Sequence, residues 1–228
     1  MKSDAAIRDP RVSRRTGVSW SVAVALVVSA CGLLLVGWGL GALARSFTQP
    51  VDLDAVQTVA THRTGSLTAA ARALSLVGSG YIVFPLAAIL GVGLYCVGRV
   101  RASLALAVSV GGAVAISTGA KLLVGRPRPP VHHLEHVASA SFPSGHTTQA
   151  SAFCGTLLII FFCHRPGRIG VALATVATAG LVLGIALSRV YLGVHYPSDI
   201  AGGLLLGASW SAITTASLLP RHQTKKPS

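Results

Sequence analysis

His195 and Asp199 stand four residues apart, with Pro197 between them. A proline fits the first position of a helix, so Asp199 is expected in the first turn of a helix that starts just after His195. A carboxylate there can accept a hydrogen bond from Nδ1, fixing the tautomer and leaving Nε2 as a nucleophile. His146 has no such partner in sequence and is free to serve as a general acid toward a leaving oxygen. It ends the run Phe142-Pro143-Ser144-Gly145-His146, which reads as a helix start, with Ser144 suited to the N-cap and Gly145 to close backbone approach. Free N–H groups and the helix dipole make such a terminus an anion site. Lys121, Arg128 and Arg189 add three positive charges, two of them guanidinium forks matched to phosphate oxygens. Together these groups describe a phosphate cradle beside two histidines. Beyond the position of Asp199, residue types do not decide which histidine attacks.

The elements that must hold these groups follow from composition. Of 228 residues, 52% are hydrophobic and 11% charged, and the mean hydropathy is +0.66. That is too little charge to coat a water-soluble domain, and an integral membrane protein is expected. Six apolar stretches are long enough to cross about 30 Å of hydrocarbon at about 1.5 Å per residue. They run from Val18 to Ala44, Tyr81 to Gly98, Ala102 to Val124, Ser144 to Cys163, Ile169 to Ser188 and Pro197 to Leu219. The expected fold is a single all-α bundle of six transmembrane helices over residues 17–220, between basic tails at 1–16 and 221–228. Leu67, Ala70, Ala71, Leu74 and Val77 recur at helical spacing and suggest an interfacial helix between the first two spans. Arg14-Arg15 and Ala42-Leu43-Ala44 also suit a signal peptide, but the apolar run is about twice the length of a signal core, and a retained anchor is expected.

The net charge of +13 comes from 19 Lys and Arg against 6 Asp and Glu. No RRM-like aromatic pattern or basic helix face accompanies it, which argues against nucleic acid as a partner. Membrane topology explains it better. With the N-terminus inside, twelve Lys and Arg fall on the inner side and six on the outer side, Lys121 lying at a span end. This bias puts both termini in the cytoplasm. It also puts Lys121, Arg128, His146, Arg189, His195 and Asp199 together at the outer ends of their spans, at headgroup depth. Cys31, Cys96, Cys154 and Cys163 show no CxxC spacing and are read as small buried apolar residues.

Lys121 with Arg128-Pro129 in the pattern K-x6-R-P, Pro143-Ser144-Gly145-His146, and Ser188-Arg189 with His195 and Asp199 in the pattern S-R-x5-H-x3-D resemble the three signature motifs of the type 2 phosphatidic acid phosphatase (PAP2) superfamily. All three are complete and in order, over about a third of the chain. The resemblance implies that His195 becomes transiently phosphorylated, that Asp199 orients it, and that His146 protonates the leaving group. Lys121, Arg128, Arg189, Ser144 and Gly145 would hold the phosphoryl oxygens, with no metal and no cofactor. The substrate class it implies is a lipid phosphate, whether phosphatidic acid, phosphatidylglycerol phosphate or a polyprenyl diphosphate such as undecaprenyl diphosphate. A lipid phosphotransferase would use the same phosphohistidine. A non-catalytic lipid transporter would instead need intramembrane charge away from the span ends. Of the two Arg-Pro pairs only Arg128 keeps the spacing from Lys121, so Arg128→Ala is expected to cost at least about tenfold in rate and Arg126→Ala much less.

A rival motif lies in the same segment, where His132-His133-Leu134-Glu135-His136 reads H-x-x-E-H. That zinc pattern needs a helix to bring two histidines one turn apart and a further ligand downstream. The segment follows Arg126-Pro127-Arg128-Pro129-Pro130, and the only later acid is Asp199. It is read as a polar loop near headgroups that shapes substrate entry.

Overall fold

The computed structural model describes residues 19–164 and 166–219, and among them all regular structure is helical. Helix α1 (Trp20–Leu43) begins at Ser19, whose hydroxyl accepts from the Val22 amide at 3.4 Å. It passes through one π turn, Ala44–Thr48, into α2 (Gln49–Thr61). Helices α3 (Gly65–Val77) and α4 (Gly80–Cys96) meet at a 41° bend. Then come α5 (Val100–Val124), α6 (Gly145–Phe162), α7 (Arg168–Tyr191) and α8 (Pro197–Leu218). Gly125, at φ +59°, ends α5 by donating its amide to Lys121 O, a left-handed terminus that a side chain would resist.

Each of the six expected spans is helical. By length and composition four helices are fit to cross a membrane, namely α1 running on into α2, α5, α7 and α8, and the bent pair α3–α4 makes a fifth. Helix α6 falls outside that set. It is packed against α8, α5 and α7, and its Thr147, Thr148 and Thr156 are buried. A helix screened from lipid by its neighbours can carry polar side chains, provided they find partners. Thr156 Oγ1 donates to Ser109 Oγ of α5 at 2.7 Å, and Thr148 Oγ1 to Ser144 O at 2.8 Å. The lipid-like surface lies elsewhere, on exposed side chains such as Val27, Leu35 and Trp38 of α1 and Leu173, Val176 and Leu187 of α7.

One expectation needs correcting and one falls out of view. Cys31, Cys96 and Cys163 are exposed and Cys154 only half-buried, because an apolar residue on a membrane helix has an apolar exterior as well as an apolar interior to face. The stretch Leu67–Val77 is helical, and α3 is docked on α7 with Ala71 and Ser75 buried while Leu67, Ala70 and Val77 stay exposed. The basic tails 1–16 and 221–228 lie outside the described residues.

Helix α8 approaches α6 at backbone distance through Gly203 and Gly207. A Cβ at Gly203 would stand 2.9 Å from Ser144 O, and one at Gly207 2.7 Å from Ser151 Cβ, both nearer than carbon tolerates. This contact of small residues seats Asp199 beside the start of α6, where the Ser144 amide donates to Asp199 O at 3.0 Å. Gly207→Val is therefore expected to cost about 1 to 3 kcal/mol through overpacking, read as a lower unfolding midpoint in detergent. Gly32→Ala, where nothing stands within 4 Å, should leave the midpoint unchanged.

Candidate active site

The last turns of α5 and α7 and the first turns of α6 and α8 meet at one end of the bundle, under the segments 125–144 and 192–196. The long segment is pinned in place. Ser141 N donates to Arg126 O at 2.8 Å and Leu134 N to Leu192 O at 3.0 Å. Arg63, between α2 and α3, donates to Tyr191 O at 2.9 Å and His132 O at 2.8 Å.

His195 is 2% exposed, with Nδ1 3.4 Å from Asp199 Oδ2. Its Nε2 lies on the other side, 3.4 Å from Arg128 Nη1. Asp199 Oδ2 also accepts from Ser141 Oγ at 2.5 Å and from the Tyr196 amide at 2.9 Å, the second bond forming a capping box at the start of α8. Burial pushes the His195 ring down to a pKa of about 3 despite the opposing pull of Asp199. A neutral imidazole anchored through Nδ1 presents an Nε2 lone pair to the space beside Arg128.

The cations surround that space. Lys121 Nζ donates to Ala140 O at 2.5 Å, and Arg128 donates to Ser139 O at 2.8 Å and to Val194 O at 2.5 Å. Burial, with the nearby Arg189 charge, lowers Arg128 to about 10. Arg189 is 1% exposed; its Nη1 contacts Ser75 Oγ and pairs with Glu135 Oε2 at 2.5 Å, while its buried Nε has no partner among the described residues. Burial would raise the Glu135 carboxyl, but the Arg189 guanidinium holds it below the usual carboxylate range. His146 is half-buried and shares a cleft with Arg189 and Glu135. The side chain nearest the open face of Gly145 is Lys121, with Cε 3.9 Å from where a Cβ would be. Ser144 occupies the N-cap position without the expected capping bond; its hydroxyl is buried and accepts from Thr147 Oγ1 at 3.0 Å.

All eight residues singled out from sequence thus gather at one end of the bundle, and a second set appears with them. Arg126 is fully buried and bridges two carboxylates, Asp52 at 2.8 Å and Asp199 at 2.7 Å. The spacing argument that ranked Arg126 below Arg128 did not foresee these pairs: removing Arg126 would leave both buried carboxylates without their cation. The signal was present in the acids. Only six occur in the chain, and Asp52, Glu135 and Asp199 are each paired with an arginine here. The His132–His136 run is irregular rather than helical, His133 Nε2 is bonded to Pro129 O at 2.8 Å, and Glu135 is committed to Arg189.

The bundle thus presents at one end a carboxylate-anchored histidine, a second histidine and a ring of half-buried and buried cations. Residues 102–222 match the PAP2 superfamily model, and the chain belongs to that family. Over 177 residues it is 37% identical to the decaprenylphosphoryl-5-phosphoribose phosphatase of Mycobacterium tuberculosis, covering 75% of this chain and 92% of that protein. It is 33% identical over 111 residues to the lipid A 1-phosphatase of Rhizobium johnstonii, covering 44% of this chain and 41% of that relative, so it spans less than half of that protein's length. The crystal structure of a transmembrane PAP2-type phosphatidylglycerolphosphate phosphatase from Bacillus subtilis superposes with a TM-score of 0.73 at 23% identity, covering 85% of this chain and 98% of that one. With its apolar helices, this likeness of fold makes the chain a multi-pass membrane protein.

Proposed function

We propose that this protein is a lipid phosphate phosphatase that works through a phosphohistidine and needs no metal. The observation that carries the reading is the His195 ring, anchored by Asp199 through Nδ1 and turned so that Nε2 faces the cation cradle. Nε2 attacks phosphorus, an N–P bond forms and the ester P–O bond breaks, and the leaving oxygen takes its proton from His146. The ring, still protonated at Nδ1, becomes cationic and is balanced by Asp199. Water then attacks the phosphorus, the N–P bond breaks, and the water's proton passes to His146. Lys121, Arg128 and Arg189 bind the non-bridging oxygens and supply the charge that a metal brings elsewhere. Ser144 and Gly145 place the α6 N-terminus at the same anion.

The topology that fits is six spans, with both termini cytoplasmic and the site on the extracytoplasmic side. A cleft of about 540 Å³ supports a membrane-borne substrate. His146, Arg189 and Glu135 lie in it together with Leu76, Tyr81 and Phe84 of the α3–α4 elbow, whose apolar side chains are exposed. A phosphate at the cations leaves room for its lipid tail along this apolar wall. Phosphatidic acid, phosphatidylglycerol phosphate and polyprenyl diphosphates all fit that description.

The test is a series of phosphate esters with one headgroup and increasing chain length, read as phosphate released in the presence of EDTA. Catalytic efficiency is expected to rise steeply with length, at up to about 0.8 kcal/mol per buried methylene, and to be insensitive to chelation. Equal efficiency on a tail-less sugar phosphate would overturn the lipid reading, and zinc-dependent activity the metal-free one.

A further inference from the structure

Arg126 differs from the cradle cations in having no donor left to offer. Its Nη1 donates to Asp199 Oδ1 and to Ser198 Oγ, both at 2.7 Å. Its Nη2 donates to Gln49 Oε1 at 2.7 Å and to Asp52 Oδ2 at 2.8 Å, and Nε reaches the same Gln49 oxygen at 3.2 Å. The guanidinium also lies over the Tyr196 ring, 4.1 Å from its centroid. A side chain this fully engaged, and wholly buried, does not bind substrate. It shapes the group that shapes the nucleophile.

We infer that Arg126 and Asp52 are positioning residues for the phosphoryl-transfer step, together holding Asp199 in the orientation that anchors His195. Arg126 takes Oδ1 of Asp199, so that Oδ2 is the oxygen left to accept from the ring, Ser141 and the Tyr196 amide. Asp52 prevents Arg126 from closing a two-pronged pair on Asp199, by claiming Nη2. It is itself fixed by Thr48 Oγ1 at 2.8 Å and by the Ser198 amide at 3.1 Å, in the same turn of α8 as Asp199. Two carboxylates around one guanidinium carry a formal charge of −1, set behind a ring that turns cationic on phosphorylation. Lys121 from α5 and Arg128 from the long segment face His195 and oppose this, and across the cradle lie Arg189 of α7, paired with Glu135 of the long segment, and His146 of α6.

The inference rests on the phosphohistidine reading, and the experiment separates the two. Asp52→Asn keeps shape and removes one charge; Arg126→Lys keeps charge but replaces the fork with a point donor. Both are expected to lower kcat by about tenfold with KM within twofold. In Asp52→Asn the lost negative charge disfavours the protonated ring, so the acid limb of the rate profile should move to lower pH. Asp54→Asn makes the same charge change two residues away on the exposed side of α2 and should change neither quantity. The inference is overturned if both variants, shown to be folded by unchanged elution and melting, keep kcat within twofold. It is overturned equally if Asp54→Asn matches Asp52→Asn, or if the loss falls on KM. His195→Ala, assayed alongside, judges the underlying mechanism by itself: retained turnover there would sink the phosphohistidine and leave the Asp52 and Arg126 effects to be read as measured.

Discussion

His195→Ala is expected to lower phosphate release by at least about a thousandfold, or about 4 kcal/mol of lost barrier reduction, and to abolish any acid-labile phosphoenzyme. The substitution removes the Nδ1 bond to Asp199, but Asp199 keeps Arg126, Ser141 and the Tyr196 amide, so the variant should still fold and elute like the parent. The same ring sets an expectation for pH. Burial lowers its pKa to about 3, and protonation is what would remove the nucleophile. As pH falls, phosphoenzyme formation should therefore persist well below the point near 6.5 at which an ordinary histidine is half protonated. A substrate with a phenolic leaving group isolates this step, because its departure needs no proton. A rate that halves near pH 6.5 in that assay would show that His195 is not shielded as described.

His146→Ala should divide the two half-reactions. General acid catalysis contributes about a hundredfold to ten-thousandfold, so turnover of an alkyl phosphate is expected to fall by that much. With the phenolic ester the first step should survive, while the second, in which His146 takes the proton of the attacking water, should not. The expected signature is a burst of one equivalent of phenol per enzyme followed by a stalled phosphoenzyme, seen by rapid quench. Equal losses on both esters, with no accumulated intermediate, would assign His146 to binding alone.

Much of this centre was legible in the chain because its members sit at helix ends a fixed distance apart. Lys121 with Arg128, Ser144 with His146, and His195 with Asp199 are local pairs, and local spacing is what a sequence displays. Helix positions were legible for the same reason, since long apolar runs have few other uses. What escaped notice depends on separation in the chain. Asp52 meets Arg126 across 74 residues, and Arg126 meets Asp199 across 73. Nothing in either neighbourhood announces the other. The rule that picked Arg128 by its spacing from Lys121 therefore set Arg126 aside, although the fold gives Arg126 the more buried place. Helix α2 was also missed, because Pro50, Asp52 and Asp54 break the apolar pattern while a proline in the first turn is compatible with helix. Cysteine exposure failed for another reason: in a membrane bundle, hydrophobicity does not say which way a residue faces.

The family match begins at residue 102, and every group assigned to the chemistry lies within it. Three side chains that partner these groups, or the Arg126 that backs Asp199, do not. Asp52 and Gln49 accept from Arg126, and Ser75 accepts from Arg189, all from the part of the chain that the match leaves out. Cut away from that part, the matched segment would hold Arg126 with an empty Nη2 and Arg189 with one acceptor fewer, in places water does not reach. The matched portion is thus not self-sufficient in acceptors. The first helices finish its wiring as well as anchoring it, and an exchange of N-terminal halves between relatives would succeed only where acceptors arrive at the positions of Gln49 and Asp52.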